Sequence, residues 1–240
     1  MSIEAVIFDW GGTLTPWHDI DLRAQWYAYA EVYDPAGARA LAQRLTDAEI
    51  HRWEQQRRTG GATSTGALDA MFLEEGIDVT SARHLRALAN YLDFWAPHTL
   101  ADPDAIGLLR ALRDGGFRIG VLSNTMWPRE HHHEVFLRDG LAEYLDAALY
   151  TSEMPVAKPH ADAFHSICDV LDVEPQACVF VGDREWEDIH GAQQVGMRAI
   201  LIPHSRIPAS QASDITVTPD AIAERLADVY AIVMGWCSRA

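Results

Sequence analysis

The sequence predicts an α/β protein, a doubly wound parallel sheet with an all-helical block inserted after its first strand. Three observations predict it. Short apolar runs bounded by turn residues recur along the chain and alternate with helical patterns, as in a parallel sheet covered on both faces. Residues 16 to 99 break that rhythm, being rich in Ala, Leu, Arg, Gln and aromatics with no convincing strand. At 240 residues the chain can bury a full core as one large domain carrying a sizeable insertion.

The runs Ala5 to Phe8, Phe117 to Leu122, Ala177 to Val181 and Arg198 to Ile202 read as buried strands, with weaker candidates at Ala147 to Tyr150 and Ile215 to Val217. Helical patterns separate them at Asp104 to Arg113, Arg129 to Arg138, Ala161 to Leu171, Asp188 to Val195 and Ala221 to Met234. Asp102 with Pro103, Gly115 with Gly116, Pro159 and Pro219 punctuate these segments. The inserted block divides into helices near Leu22 to Val32, Ala36 to Arg58, Thr65 to Glu75 and Ser81 to Tyr91, with Arg58 to Gly66 expected as a hinge-like joint. A division follows: 1–15 and 100–240 as an α/β core, 16–99 as a helical cap over the first strand's end. Trp26, Tyr27, Tyr29, Trp53, Tyr91, Phe94 and Trp95 sit at helical spacings, which favours packing between cap helices over ligand contact.

A formal charge of −16 opposes binding to nucleic acid or anionic membranes. Three cysteines (Cys168, Cys178, Cys237) without a CxxC pair read as free thiols, hence a reducing compartment. No basic, apolar leader precedes Ile3, and no apolar run approaches the roughly 18 residues of a membrane span. A soluble, cytoplasmic protein acting on a small molecule is expected. The basic residues are 18 arginines and one lysine, Lys158, which makes that lysine's position worth following.

In an open parallel sheet, ligands bind beyond the carboxyl ends of the strands. There this sequence places Asp9 (in VIFDWGGTL), Ser123 and Asn124 (in GVLSNT), and Gly182 and Asp183 followed by Glu187 and Asp188 (in VFVGDREWEDIHGA). Lys158 stands just before Pro159 and the start of a helix. Any one of these carboxylates could be a helix cap. Gathered together, Asp9, Asp183 and Asp188 would repel one another unless a hard cation sat among them, and Mg²⁺ accepts such carboxylates together with a phosphate oxygen. Ser123 and Lys158 would then donate to a phosphoryl group and to Asp9, while Gly11 and Gly12 let the backbone approach closely.

These segments, in order FDWGGTL, VLSNT, Lys158 before proline, and VGDREWEDIHGAQQVGM, resemble the four motifs of the haloacid dehalogenase (HAD) superfamily, and the inserted helices resemble its type 1 cap. The resemblance covers the whole chain and implies a Rossmann-like core. It further implies that Asp9 is a nucleophile forming an aspartyl intermediate, that Ser123 and Lys158 support the transferring group, and that Asp183, Asp188, Asp9 and the Gly11 carbonyl hold Mg²⁺. Gly12, Thr13 and Asn124 fall at substrate-binding positions.

One departure matters. The family's phosphatases carry a second aspartate two residues after the nucleophile as general acid and base; this chain has Gly11. Losing such help costs on the order of 10² to 10⁴ in rate. Phosphonoacetaldehyde hydrolases share a similar motif but need a cap lysine, and this cap has none. The haloacid dehalogenases lack the second aspartate, recruit no metal, and do not open their fourth motif with Gly-Asp. The sequence therefore favours a Mg²⁺-dependent phosphohydrolase, best suited to acyl or aryl phosphates; a metal-independent 2-haloacid dehalogenase and a catalytically impaired binding protein are the alternatives. His18 and Asp19, or His98, could replace the missing acid.

Other groups have plainer expectations. His131, His132 and His133 cannot all face one metal from a helix and are expected at an exposed helix start. Arg52, Arg57 and Arg58 could meet an anionic substrate or form a solvated face. Glu187 could support the metal site and Trp186 shape its entrance.

Overall fold

A computed structural model describes residues 2–16, 18, 20–203 and 217–238. Its elements in chain order are β1 (Ala5–Phe8), α1 (Leu22–Tyr33), α2 (Ala38–Arg58), α3 (Leu68–Glu74), α4 (Ala82–Trp95), α5 (Ala105–Asp114), β2 (Arg118–Ser123), α6 (Arg129–Arg138), β3 (Ala147–Tyr150), α7 (Ala161–Leu171), β4 (Cys178–Gly182), a π-helical turn (Glu185–His190), α8 (Gly191–Gln194), β5 (Arg198–Leu201), β6 (Ala221–Ile222) and α9 (Val229–Cys237).

The strands pair in parallel in the order β3-β2-β1-β4-β5-β6. The chain fills one side of β1 with β2 and β3, then crosses to β4, so the topological switch lies between β1 and β4. Alternation along β1 shows why both faces are covered. Val6 and Phe8 join one hydrophobic cluster with α5, α9 and the inserted helices. Ala5 and Ile7 join a second with α7 and the segment before β5. Each β1 side chain is fully buried, which explains an uninterrupted apolar run in place of a two-residue alternation.

Between β1 and α5 lie four α-helices and no strand among the described residues. Asp21 starts α1 by accepting from the Arg23 and Ala24 amides, and Ser81 starts α4 through His84 N. Trp26 and Tyr29 of α1, Phe72 of α3 and Tyr91 of α4 pack as neighbouring rings; Trp26 stacks on Tyr91 at 4.8 Å between centroids.

The structure differs from three sequence expectations. The weak strand candidate Ile215 to Val217 falls mostly outside the described residues, and β6 forms at Ala221–Ile222, inside the run read as the last helix. Pairing decides this. Ile200 and Leu201 take Ala221 and Ile222 as partners, and the Asp220 carboxylate accepts from Ala199 N. The helix therefore starts only at Val229. The helix expected over Asp188 to Val195 is α-helical only from Gly191, being preceded by the π turn. The loop expected as a joint within the inserted block is fastened to the core instead. Ala157 N donates to Gly61 O (2.8 Å), Ser64 N to Pro155 O (3.1 Å) and Ser64 Oγ to Met154 O (2.7 Å).

Candidate active site

The parallel register aligns Phe8 with Val121 and Val181, which brings Asp9, Ser123, Gly182 and Asp183 to one edge of the sheet at the switch point. Asp9 N donates to Val181 O, carrying the ladder one step past β1. Asp188 reaches the same place from the π turn. Both Asp188 N and Ile189 N donate to Arg184 O, the second being the wider π bond, and Asp188 Oδ2 accepts from Arg184 N at 3.0 Å. Gly182 makes room for it: a Cβ there would lie 2.4 Å from the Asp188 side chain.

Lys158 occupies the centre. Its Nζ donates to Asp9 Oδ1 at 2.8 Å and to Asp188 Oδ1 at 2.6 Å, and the side chain is almost wholly buried. Asn124 sets the lysine's backbone, donating from Nδ2 to Lys158 O and accepting from Lys158 N at Oδ1, both at 3.0 Å. Burial alone would push the ammonium's pKa down, but Asp188 and Asp9 more than offset it and the pKa is raised. Burial raises the Asp9 pKa against the pull of Lys158, and the Asp188 charge raises it further.

Asp9, Asp183 and Asp188 are all buried and offer oxygens within 4.8 Å of one another. Lys158 and Arg184, whose Nε lies 3.4 Å from Asp183 Oδ2, set two positive charges against three carboxylates. An all-oxygen carboxylate set with residual negative charge fits a hard divalent cation such as Mg²⁺.

Gly11 lines the cleft beside Asp9, and a Cβ built on it meets nothing within 4 Å. The space that a second carboxylate would fill is open. Gly12 has φ +87°, a conformation that favours glycine. The Thr13 hydroxyl is buried without a hydrogen-bond partner among the described residues, and Ser123 and Asn124 line the cleft.

The cleft continues into a cavity of about 510 Å³ between the strand ends and the inserted helices. Trp26, Trp53, Tyr91 and Trp95, read from sequence as packing residues, also line it, as do Trp10 and Trp127, which sequence reasoning passed over. Glu49 of α2 was missed as well; its only sequence signal is a carboxylate one turn before Trp53. Arg184 was missed for its position inside a motif already accounted for by its acids.

The remaining candidates sort themselves by position. His18 and His98 both line the cavity with rings 5.1 Å apart, and burial, helped by His18, holds the His98 pKa below the usual histidine range. Asp19 lies outside the described residues. Arg57 lines the cavity, whereas Arg52 pairs with Glu74 and Arg58 with Glu54. Glu187 lines it with a pKa raised by burial and by Asp188; Trp186 stacks on His190 and is not part of the lining. The histidine run is not simply an exposed helix start. His132 is fully buried, stacked on Tyr150, with Nε2 3.1 Å from Thr125 Oγ1, because that face of α6 turns toward β3 and the loop after β2. All three cysteines are free. No helix among the described residues is long and apolar enough to cross a membrane.

Comparison with known proteins agrees with this fold. The family model of the haloacid dehalogenase-like hydrolases matches residues 3–196. A glyceraldehyde 3-phosphate phosphatase of Methanopyrus kandleri is 26% identical, with 96% of this chain and 97% of that protein aligned. An (S)-2-haloacid dehalogenase of a Pseudomonas species is 35% identical over 102 residues, 42% of this chain and 44% of that one. The crystal structure of a HAD phosphatase from Thermococcus onnurineus shares the fold, with a TM-score of 0.67 and 22% identity over 97% of this chain and 99% of that one.

Proposed function

This chain belongs to the haloacid dehalogenase-like hydrolases, and we propose that within that family it is a Mg²⁺-dependent phosphohydrolase that uses Asp9 to cleave a small phosphorylated molecule. The observation that carries the reading is the convergence of Asp9, Asp183 and Asp188 around Lys158. An idle site gains nothing from holding buried like charges together. We read residues 16–99 as the cap and 1–15 with 100–240 as the core.

Asp9 Oδ attacks phosphorus while Lys158 keeps the carboxylate ionised and neutralises charge as the aspartyl phosphate forms. Ser123 donates to the phosphoryl oxygens and Gly12 lets the main chain close on them. Asp9, Asp183, Asp188 and the Gly11 carbonyl would hold Mg²⁺, which when bound would supply Lewis-acid stabilisation of the phosphoryl charge. The bond from phosphorus to the leaving oxygen breaks as the aspartyl phosphate forms, and water then attacks phosphorus in that acyl phosphate, releasing inorganic phosphate and the Asp9 carboxylate. Gly11 cannot shuttle the proton for leaving-group departure, so acyl and aryl phosphates, which leave as weak bases, suit this site best. His98, with its lowered pKa, is suited to act as a base toward water from the cavity wall.

A second reading has one observation in its favour. Lys158 Nζ contacts both Asp9 and Asp188, an arrangement equally suited to supporting an aspartate nucleophile in a 2-haloacid dehalogenase, and a dehalogenase is among the relatives. Assays with acetyl phosphate, p-nitrophenyl phosphate and 2-chloropropionate, with and without Mg²⁺, separate the two. Phosphate release that needs the metal supports the first; chloride release without metal replaces it with the second; silence on all three leaves a binding protein.

A further inference from the structure

Glu49 is a partly buried carboxylate on the cavity wall with only neutral hydrogen-bond partners among the described residues. Its Oε2 accepts from Gln25 Nε2 and from Trp26 Nε1, each at 2.7 Å, and the Trp53 indole also donates to the carboxylate. Three of the five arginines of its own helix pair elsewhere: Arg44 with Glu75, Arg52 with Glu74 and Arg58 with Glu54. Arg57 lines the same cavity but makes no ion pair with Glu49 among the described residues. Burial pushes the Glu49 carboxyl above the usual carboxylate range even against three donors. A desolvated charge without a counter-ion is costly, and a positive ligand would relieve that cost.

The surroundings specify what kind of cation. Trp26 stacks on Tyr91, Tyr91 meets Trp127 edge to face at 6.5 Å, and Trp127 meets Trp10 at 5.6 Å. A buried stack of rings thus runs from the tryptophan that holds Glu49 to the residue next to Asp9, and Trp53 and Trp95 present partly exposed rings to the cavity in front of it. A primary ammonium keeps tightly bound water and needs hydrogen-bond acceptors that indole and phenol rings do not provide. An alkylated ammonium is weakly hydrated, presents an apolar shell, and is attracted to aromatic faces.

Resting on the phosphohydrolase reading, we propose that the substrate carries an alkylated ammonium at the end away from its phosphoryl group, held by Glu49 and the half-buried rings of Trp53 and Trp95 on the cavity wall. Glu49 is a specificity residue in this scheme and takes no part in the chemistry. The cavity of about 510 Å³ has room for a small molecule spanning both ends.

The test uses choline and its neutral isostere 3,3-dimethylbutanol as probes, with binding read by tryptophan fluorescence in the absence of metal. Saturable binding of choline, at least tenfold tighter than of the isostere and at least tenfold weakened in a folded Glu49→Gln variant, is the expected result. Equal affinity for the two probes in the wild type, or no saturable choline binding, overturns the proposal without reference to any variant. Phosphocholine and 3,3-dimethylbutyl phosphate, assayed with Mg²⁺, are expected to differ at least tenfold in kcat/KM in favour of the ammonium. If acetyl phosphate and p-nitrophenyl phosphate are not hydrolysed with Mg²⁺ while choline binding and its dependence on Glu49 persist, the phosphohydrolase reading fails and the cation site stands.

Discussion

Lys158 Nζ lies 2.6 Å from Asp188 Oδ1 and, from the same nitrogen, 2.8 Å from Asp9 Oδ1, so one buried ammonium ties the proposed nucleophile to a proposed metal ligand. Replacing it with methionine would strand two carboxylates. Removing one partner of a buried pair costs roughly 3–5 kcal/mol. Lys158→Met is expected to lose stability of that order in urea denaturation and to lose activity below detection. A Lys158→Met protein of unchanged stability would show that the carboxylates are not held charged.

Gly182 leaves no room for a methyl group, since its Cβ would stand 2.4 Å from Asp188. Gly182→Ala should displace Asp188 from the carboxylate cluster. We expect Mg²⁺ affinity, measured by calorimetry, to fall by tenfold or more while the circular dichroism of the sheet is retained. Unchanged metal affinity would remove Asp188 from the ligand set.

Gly11 presents the opposite case. Nothing lies within 4 Å of a Cβ placed there, so Gly11→Asp is expected to fold normally. Under the phosphohydrolase reading it restores a proton shuttle, and kcat for alkyl phosphomonoesters should rise by on the order of 10²-fold, with little change for acetyl phosphate. A folded Gly11→Asp protein without that gain would mean that the cavity serves other chemistry.

His132 is neutral and buried, its pKa pushed down to about 3 by burial, with His131 and Arg129 adding to the effect. A histidine depressed in the folded state gives stability that is complete above its unfolded pKa of about 6.5 and drains away as the pH falls toward the folded value. The slope is about 1.4 kcal/mol per pH unit, so roughly 2 kcal/mol should vanish between pH 6.5 and 5. His132→Phe, which keeps a ring against Tyr150, should flatten that part of the stability curve measured by urea titration at each pH. An unaltered slope would assign the acid sensitivity to other groups.

The strand ends were readable because an apolar run that stops at a carboxylate, a serine or a Gly-Asp pair carries both fold and chemistry in the same few residues. Asp9, Ser123, Lys158, Asp183 and Asp188 lie at one edge of the sheet for that reason. What stayed hidden depends on contacts distant in sequence. Ala221–Ile222 is a strand only because Ile200 and Leu201 offer an edge to it; two residues carry no period of their own. Glu49 reads as one more acid on a polar helix until Gln25 and Trp26, two dozen positions earlier, are brought against it. His132 shares its composition with two neighbours, and only the orientation of α6 separates the buried ring from the exposed one.

Gly61 sits at φ +80°, and any side chain on it would collide with Ala157 O at 2.1 Å. That contact joins the helical block to the segment that leads into Lys158, through main-chain atoms alone. Exchange of the block between relatives, by recombination or at the bench, can therefore preserve the lysine's placement only if the incoming piece brings a glycine at this seam. A chimera lacking one would wedge the two halves apart and misplace the ammonium, whatever the merit of its new cavity wall.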